Sequence, residues 1–296
     1  MVKKICRLLF LLNFFFTPAA AGQKVLALQS VAIAPYEEAV RGFEQVYGSE
    51  VKRLFVSERK EKDVLREIQA IKPDMVLAVG RDALLIARRL MDIPVVYCMV
   101  LNPLALLAAE TNISGVSMNL APGKQLPELL KILPDTHDIA LLYDPARTGA
   151  FVQELREAAA LAGVRLNATE VHQPQEVPRR LNNIRDRADL FWMLPDVTVI
   201  TPETVEAILL FSLENKIPIL TFSEKYLERG AMLSIGIDPF DIGRQAGELA
   251  QMIFSGGEHL QHGEARKALV AVNEKIARKL GIRIEGKLLR NGGADR

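Results

Sequence analysis

Polar side chains recur in this sequence where apolar runs end, and these residues are the best placed to do chemistry. Hydroxyl, amide, carboxylate and guanidinium groups gathered at such positions suit the noncovalent binding of a small polar molecule. We take them as candidate ligand-binding residues. The full set, which includes Gly80 and Phe222 because they stand at the same positions, is Gln29, Ser30, Gly80, Arg81, Asn102, Ser117, Tyr143, Arg147, Thr148, Asp196, Thr198, Phe222, Ser223 and Asp238.

Ordinary structural roles compete with ligand binding in the same loops. Asp82 and Thr201 each stand at the start of a predicted helix, and we expect their side chains to cap it. Asp144-Pro145 has the composition of a turn. Tyr143 and Phe222 could stack on a ligand ring or belong to the core. Both roles stay open at these positions.

Recognised catalytic motifs are missing. There is no Gly-x-Ser-x-Gly elbow, no phosphate-binding P-loop and no Gly-x-Gly-x-x-Gly after the first apolar run. His259 and His262, with Glu258 and Glu264 nearby, could hold a metal, but no further His or Cys adjoins them. We favour the interpretation that residues 256–263 form a solvated loop and not a metal site. We expect no enzyme, no cofactor and no metal.

The first residues have the composition of a secretory signal peptide. Three basic residues precede an apolar run over residues 8–16, and Ala19-Ala20-Ala21 fits the small-residue cleavage rule. The run is too short for a stable membrane-spanning helix, although an uncleaved anchor is the alternative. We expect residues 1–21 to be removed and a periplasmic protein to begin at Gly22.

Charge and cysteine content limit the partners. The chain carries a net charge of +1, and removal of residues 1–21, with three basic and no acidic residues, changes it to −2. This balance gives no basic surface for nucleic acid or anionic membrane. Cys98 is the only cysteine after residue 21, and its apolar neighbours predict a buried, unreactive thiol. The length suits two domains.

Strand and helix patterns alternate regularly from Lys24. Predicted strands cover residues 25–28, 51–56, 75–79, 93–100, 113–117, 139–143, 164–170, 190–194 and 268–272. Predicted helices include residues 36–47, 58–71, 82–90, 124–133, 148–161, 176–187, 201–213, 240–254 and 273–280. Strict alternation with buried strands indicates an α/β fold built on doubly wound parallel sheets.

One unit of this pattern occurs twice. Residues 92–119 and 216–239 each contain an Ile-Pro strand, a polar loop and a second strand of small residues. A helix led by proline follows each copy, at Pro122 and Pro239. The recurrence predicts two α/β lobes joined through equivalent strands. In such sheets a ligand lies beyond the carboxyl ends of the strands, which here means between the lobes.

Short motifs along the chain resemble one protein family. They are Lys72-Pro73-Asp74, Ile93-Pro94-Val95-Val96, Asn112-Ile113-Ser114-Gly115-Val116-Ser117, Leu142-Tyr143-Asp144-Pro145, Leu194-Pro195-Asp196, Gly230-Ala231-Met232, Gly243-Arg244-Gln245-Ala246 and the segment 273–281. In this order and spacing they resemble bacterial ABC-transporter substrate-binding proteins, in the family with tryptophan- and tyrosine-binding members. The resemblance covers nearly all residues after 21.

The resemblance implies a type I periplasmic-binding-protein fold with two lobes joined by three crossovers. By that analogy lobe 1 is residues 22–116 plus 237–265, and lobe 2 is residues 117–236 plus 266–296. It also implies a receptor that closes on a small molecule and delivers it to an ABC transporter permease and its ATPase subunit. We expect a monomer without nucleic-acid partners.

Departures from the family pattern affect the expected ligand. Asn102 stands where the family often has Asp, and Arg81 stands where a small residue is usual. Asp196 is the best anionic partner for a ligand ammonium, while Arg81 and Arg147 could pair with a ligand carboxylate or lie in water. We expect an amino acid or a related small organic anion.

Two other functions compete with transport. The chain could be a periplasmic sensor that closes on a ligand and docks on a membrane signalling receptor or kinase. It could also be an exported hydrolase or isomerase, although the acid, base and nucleophile set for such chemistry is missing.

Overall fold

Two sheets organise the part of the chain that the structure describes. The structure is a computed structural model that describes residues 23–57, 59–107, 110–185, 187–257 and 261–284. The predicted signal peptide, residues 1–21, lies outside these ranges, as do Glu258 and His259. Among the described residues, no helix combines the length and apolar character needed to cross a membrane.

The first sheet contains six of the described strands. They are β1 (Val25–Gln29), β2 (Lys52–Phe55), β3 (Met75–Val79), β4 (Val95–Val100), β5 (Ile113–Ser117) and β11 (His262–Glu264). Their order is β11-β5-β4-β3-β1-β2, and every neighbouring pair is parallel. β1, β3, β4 and β5 are buried throughout, as the unbroken apolar runs predict. Cys98 is buried in β4 as predicted.

The second sheet repeats this arrangement with one change. Its described strands are β6 (Asp138–Tyr143), β7 (Arg165–Glu170), β8 (Leu190–Trp192), β9 (Ile219–Thr221), β10 (Leu233–Ile237) and β12 (Ala268–Val272). Their order is β12-β10-β9-β8-β6-β7, and only β12, which pairs with β10, runs antiparallel. The prediction of two α/β lobes with parallel sheets is therefore confirmed, with one antiparallel edge strand added.

Helices cover both faces of each sheet. The described helices are α1 (Ala34–Tyr47), α2 (Glu61–Ile71), α3 (Arg81–Ala87), α4 (Pro122–Ile132), α5 (Pro145–Ala162), α6 (Val177–Asn182), α7 (Pro202–Asn215), α8 (Lys225–Arg229), α9 (Pro239–Phe254) and α10 (Glu274–Leu280). α1 and α9 pack on one face of the first sheet, and α2 and α3 pack on the other. α4 and α5 cover one face of the second sheet, and α6 and α7 cover the other.

α1 and α9 pack closely because glycine lines their contact. A Cβ atom at Gly42 would lie 2.0 Å from the carbonyl oxygen of Phe240, and one at Gly243 would lie 1.8 Å from that of Ala39. No side chain fits at these distances, so the two helix backbones touch. The contact fixes α9 on the first sheet although β10, which precedes it, belongs to the second.

Local chemistry explains where some helices differ from the predicted bounds. α5 begins at Pro145, three residues before the predicted start, because the Asp144 carboxylate accepts a hydrogen bond from the Ala146 N–H and caps the helix. The predicted helix over residues 176–187 is shorter, because α6 ends at Asn182. Asparagine side chains compete for backbone hydrogen bonds and favour helix ends. Thr201 caps α7 as predicted, through a capping box with Thr204.

Candidate functional site

Within the residues that the structure describes, the chain passes between the two sheets three times, at the carboxyl ends of their strands. The first crossover, residues 118–121, leaves β5, and the second, residue 238, leaves β10. The third crossover, residues 265–267, joins β11 to β12. Ser117 pairs with Glu264, and Ile237 pairs with Ala268, so the carboxyl ends of β5, β11 and β10 meet at these segments. The carboxyl ends of strands from both sheets therefore lead into these crossovers, and we call the space between the two sets of strand ends the cleft.

Hydrogen bonds tie the three crossovers to one another. The Ala265 N–H donates to the carbonyl of Asn119 at 3.1 Å, and its carbonyl accepts from Lys124 Nζ at 2.8 Å. Lys267 Nζ contacts Asp238 Oδ2 at 3.0 Å, and Asp238 also caps α9. Asp238, one of the predicted ligand-binding residues, is thus engaged by the third crossover and by its own helix.

The first sheet places Ser30, Gly80 and Tyr36 together. The Ser30 hydroxyl accepts a hydrogen bond from the Ala83 N–H at 2.9 Å and so serves the first turn of α3. Gly80 has a φ of +89°, and a Cβ there would lie 2.7 Å from Ser30 Oγ and from the Tyr36 hydroxyl. Glycine is required at position 80 because both the backbone angle and the space exclude a side chain.

The prediction that Asp82 caps this helix is wrong. Gly80 occupies the N-cap position, so Asp82 lies inside the first turn, and its side chain is 63% exposed. The hydroxyl that meets the free N–H of Ala83 comes from Ser30, 53 residues away along the chain. Sequence spacing within one helix could not reveal a donor–acceptor pair of this kind.

Tyr36 is a candidate site residue that the sequence analysis placed only at the start of the predicted helix over residues 36–47. It is half-buried on the first turn of α1. Burial, followed by the nearby Asp82 carboxylate, raises the pKa of its hydroxyl. Its neutral hydroxyl beside Gly80 is suited to hydrogen bonding with a molecule in the cleft. The only sequence signal was its position one short loop beyond the end of β1.

Arg81 and Arg147 both lie in water in this structure. The Arg81 side chain is 64% exposed and approaches Asp82 at 3.9 Å. Arg147 is exposed on the first turn of α5. Exposed ion pairs of this kind contribute little to stability. Both guanidinium groups are thus free of buried partners and lie next to strand ends on opposite lobes.

Asn102 and Ser117 line a cavity of about 250 Å³ beside the first and third crossovers. Asn102 donates its N–H to Asn119 Oδ1 at 3.2 Å, and Ser117 Oγ accepts from the Asn119 N–H at 3.2 Å. His262 and Glu264 complete the polar part of the wall. A larger cavity of about 630 Å³ lies at the far end of α3, near Arg88 and Glu110, away from the strand ends.

The sequence analysis expected His262 in a loop, but the structure places it in β11. Its ring stacks on Tyr97 with 5.8 Å between ring centroids, and its Nδ1 lies 3.0 Å from the Tyr97 hydroxyl. Burial lowers the pKa of His262. The predicted alternative of a metal site also involved His259 and Glu258, which lie outside the described residues. Within the described ranges no three His, Cys, Asp or Glu residues are grouped to hold a metal.

Asp196 organises the strand ends of the second sheet. Only 1% of it is exposed. Its Oδ2 accepts from the Asp144 N–H at 2.8 Å and from the Thr148 hydroxyl at 2.6 Å. Its Oδ1 accepts from the N–H groups of Thr198 at 3.0 Å and Val199 at 3.3 Å. A carboxylate offers about four acceptor positions, and all four are occupied.

Reciprocal hydrogen bonds join the loops after β6 and β8. The Thr198 hydroxyl donates to Asp144 Oδ2 at 2.7 Å, while Asp196 holds the backbone of Asp144. The Thr198 hydroxyl and the Ala146 N–H hold the pKa of Asp144 below its usual value. The structure therefore brings Thr148, Asp196 and Thr198 together, but Asp196 is engaged by the fold. The expectation that it pairs with a ligand ammonium conflicts with this geometry, because a fifth partner would displace one of four.

The remaining predicted residues lie along the same side of the second sheet. The Tyr143 hydroxyl donates to Glu170 Oε1 at 3.2 Å. Phe222 is half-buried and meets Tyr226 edge-on, with centroids 5.4 Å apart. The Ser223 carbonyl accepts from the Tyr226 N–H at 3.1 Å and forms the turn into α8. Gln29, by contrast, is fully buried at the end of β1, and its amide has no hydrogen-bond partner.

Known proteins share this architecture. The chain is 24% identical over 194 residues to a tyrosine-binding protein of Clostridioides difficile. The match covers 62% of this chain and 56% of that protein, so the chain spans a little over half of that relative's length. The ligand-free, open structure of CD0873, a substrate binding protein with adhesive properties from Clostridium difficile, superposes with a TM-score of 0.77 at 20% identity and covers 92% of this chain and 98% of that one.

An ABC domain from Streptococcus pneumoniae in complex with L-Trp superposes with a TM-score of 0.60 at 20% identity, over 92% of this chain and 99% of that one. The expected type I periplasmic-binding-protein fold is confirmed. A family model described as ABC transporter substrate binding protein matches residues 53–294, which is most of the chain. The chain belongs to the family of ABC transporter substrate-binding proteins.

Proposed function

We propose that this chain is an exported receptor that captures a small molecule between two lobes and delivers it to an ABC importer. The observation that carries the proposal is the meeting of both sets of strand carboxyl ends at three cross-tied crossovers. Ligands of open α/β sheets lie at such ends. The family to which the chain belongs supplies the transporter as partner, namely a permease with its ATPase subunit.

The lobes we propose are residues 22–116 plus 237–265 and residues 117–236 plus 266–296, acting as a monomer. α9 supports this division, because it packs on the first sheet although it follows β10 of the second. Over the described ranges, only the short crossovers join the two units through the backbone. Ligand binding should therefore shift an equilibrium between open and closed forms by rotation about these segments.

Apolar groups at the strand ends bear on the ligand. Val31, Ile33, Leu101, Leu104 and Val197 follow strands β1, β4 and β8, and they are between 36% and 68% exposed. Their position at the strand ends supports a surface that becomes covered when the lobes close on a ligand. A purely polar anion would leave them in water. An amino acid with an apolar portion fits both this border and the polar groups beside it.

The carboxylate of an amino acid also finds candidate partners near the cleft. Arg81 and Arg147 are exposed beside strand ends of the two lobes and can each bind a carboxylate through two parallel hydrogen bonds. Tyrosine and tryptophan are the ligands named for two similar proteins, which supports an amino acid here. We therefore propose an amino acid, or a related small organic anion with an apolar portion, as the ligand.

A thermal-shift screen of the purified chain against the L-amino acids tests this proposal. At a ligand concentration of 100 times Kd, binding stabilises a protein by about 2.7 kcal/mol. For a chain of this size we expect a rise in Tm of about 5–10 °C. Small-angle scattering with the best ligand should then show a smaller radius of gyration. A screen without any shift would reject an amino acid as the ligand, and an unchanged radius on binding would reject the proposed capture between lobes.

Arg81→Ala and Arg147→Ala separate the two guanidinium groups. The variant that loses a carboxylate contact should bind the ligand at least about tenfold more weakly, because a charge-assisted hydrogen bond contributes roughly 1.5–3 kcal/mol. Arg156→Ala, at an exposed position further along α5, is the matched control. Equal affinities in all three variants would show that neither arginine contacts the ligand.

A further inference from the structure

Gln29 holds a hydrogen-bonding group that the fold does not use. It is 0% exposed at the end of β1, and neither its Nε2 nor its Oε1 has a hydrogen-bond partner. Among the described residues, the other buried side-chain atoms of this kind are Arg180 Nε and Thr221 Oγ1. Buried amides are nearly always bonded, because an unpaired donor or acceptor forfeits its hydration. An apolar side chain would serve the fold better at this position.

The neighbours of Gln29 are apolar. In the parallel register Gln29 lies beside Val79 and Phe55, and Cys98 follows Val79 on the next strand. Side chains in register point to the same face of a sheet, here the face covered by α1 and α9. A charged ligand group would be poorly solvated in this setting. The carboxamide suits an uncharged group that both donates and accepts.

The position also connects Gln29 with the cleft. β1 ends at Gln29, and the chain continues through Ser30, whose hydroxyl lies beside Gly80, to the exposed residues Val31 and Ile33. Tyr36 packs against the apolar cluster that contains Val79 and Cys98. A ligand that lies against the exposed loop would reach this corner past Tyr36, whose hydroxyl lies beside Gly80.

We propose that Gln29 sets ligand specificity by hydrogen bonding to an uncharged hydroxyl or amide on the apolar portion of the ligand. This inference rests on the proposed function. It names the chemical feature by which the site would choose among amino acids. A site that binds a polar group through buried partners rejects the analogue without that group, because the partners then stay unpaired.

The test compares one substitution at two buried glutamines. Gln125 is 8% exposed on α4, and its Nε2 donates to the Leu120 carbonyl at 2.6 Å. Gln29→Leu removes two unpaired atoms and should raise the Tm of the ligand-free protein by about 2–4 °C. Gln125→Leu breaks a bond and should lower it. A Tm that falls in both variants would overturn the proposal, because the Gln29 amide would then have a structural partner.

The second measurement is the affinity for matched pairs of ligands, determined by calorimetry. The pairs are L-tyrosine with L-phenylalanine, L-threonine with L-valine, and L-glutamine with L-methionine. The wild type should prefer the polar member of its bound pair by about tenfold or more. Gln29→Leu should reduce that preference to about twofold or less, while Gln125→Leu retains it. An unchanged preference in Gln29→Leu would also overturn the proposal.

The two proposals fail in distinguishable ways. If the wild type binds none of the six amino acids, the ligand class under the proposed function is wrong for these probes. Gln29 is then judged on the unfolding measurements. A rise in Tm for Gln29→Leu against a fall for Gln125→Leu supports an amide kept for a ligand, and a fall in both rejects it.

Discussion

Replacing Asp196 by alanine should destabilise the second lobe before it affects any ligand. The carboxylate accepts four hydrogen bonds and is 1% exposed. The substitution removes the acceptor of the Asp144 N–H, the Thr148 hydroxyl and the Thr198 N–H, whereas the Val199 N–H keeps its bond to the backbone carbonyl of residue 196 at 3.1 Å. A buried donor without a partner costs about 1–3 kcal/mol. Water reaches some of these part-buried groups, so we expect a total loss of about 3 kcal/mol in the free energy of unfolding. That loss corresponds to a fall in Tm of about 6–12 °C.

Thermal and urea unfolding of Asp196→Ala and of Asp135→Ala measure this effect. Asp135 is exposed, so its variant should unfold within about 0.5 kcal/mol of the wild type. Affinity in Asp196→Ala should fall as well, because Thr148 and the first turn of α5 lose their support. An Asp196→Ala protein with wild-type stability and greatly weakened ligand binding would refute the structural role assigned here. The carboxylate would then contact the ligand directly.

Three further predictions concern other parts of the molecule. Gly80→Ala should lower the free energy of unfolding by about 2 kcal/mol or more, because φ is +89° and the added Cβ meets Ser30 and Tyr36 at 2.7 Å. Gly149 lies inside α5 with open space around it, so Gly149→Ala should raise that free energy by about 0.5–1 kcal/mol. Equal effects of the two substitutions in urea unfolding would contradict both predictions. Burial raises the pKa of Cys98 to about 12, so a thiol reagent at pH 8 should label the protein only after denaturation, and stoichiometric labelling of the native protein would refute this. Burial lowers the pKa of His262, so the unfolded chain takes up a proton more readily, and stability should fall as the pH drops from 7 to 5. This fall should be smaller in His262→Gln. The same dependence of the free energy of unfolding on pH in both proteins would contradict the prediction.

The fold could be predicted because its signals are local. Unbroken apolar runs gave β1, β3, β4 and β5, and amphipathic spacing gave the helices between them. β11 carried no such signal, since His262-Gly263-Glu264 contains no apolar side chain. It becomes a strand because it lies along β5, where the Gly115 N–H donates to the Gln261 carbonyl at 2.8 Å. The antiparallel direction of β12 likewise follows from the path of the third crossover.

The candidate site was harder to predict, because caps and ligand contacts use the same residue types at the same strand ends. Ser30, Asp196 and Asp238 all have the chemistry of ligand-binding residues, and the structure engages each of them within the protein. Asp82 has cap chemistry but lies outside the cap position. These assignments depend on partners about 30 to 50 residues away, which spacing along one element does not encode.

Hydrogen-bond partners offer a physical way to divide the candidates. A side chain whose acceptors are filled by the fold, such as Asp196, can bind a ligand only by giving up an existing bond, so it gains little net free energy from doing so. A side chain without hydrogen-bond partners, such as Gln29, gives up no existing bond when it binds a ligand. It also replaces the hydrogen bonds to water that burial removed. The same carboxyl-end loops therefore contain two populations, one that shapes the cleft and one that is available to it. Gln29 and its neighbour Tyr36 belong to the second. Arg81 and Arg147 join them because their charge contacts, with Asp82 and Asp144, are exposed and weak. Specificity should change most when residues of this second group are replaced.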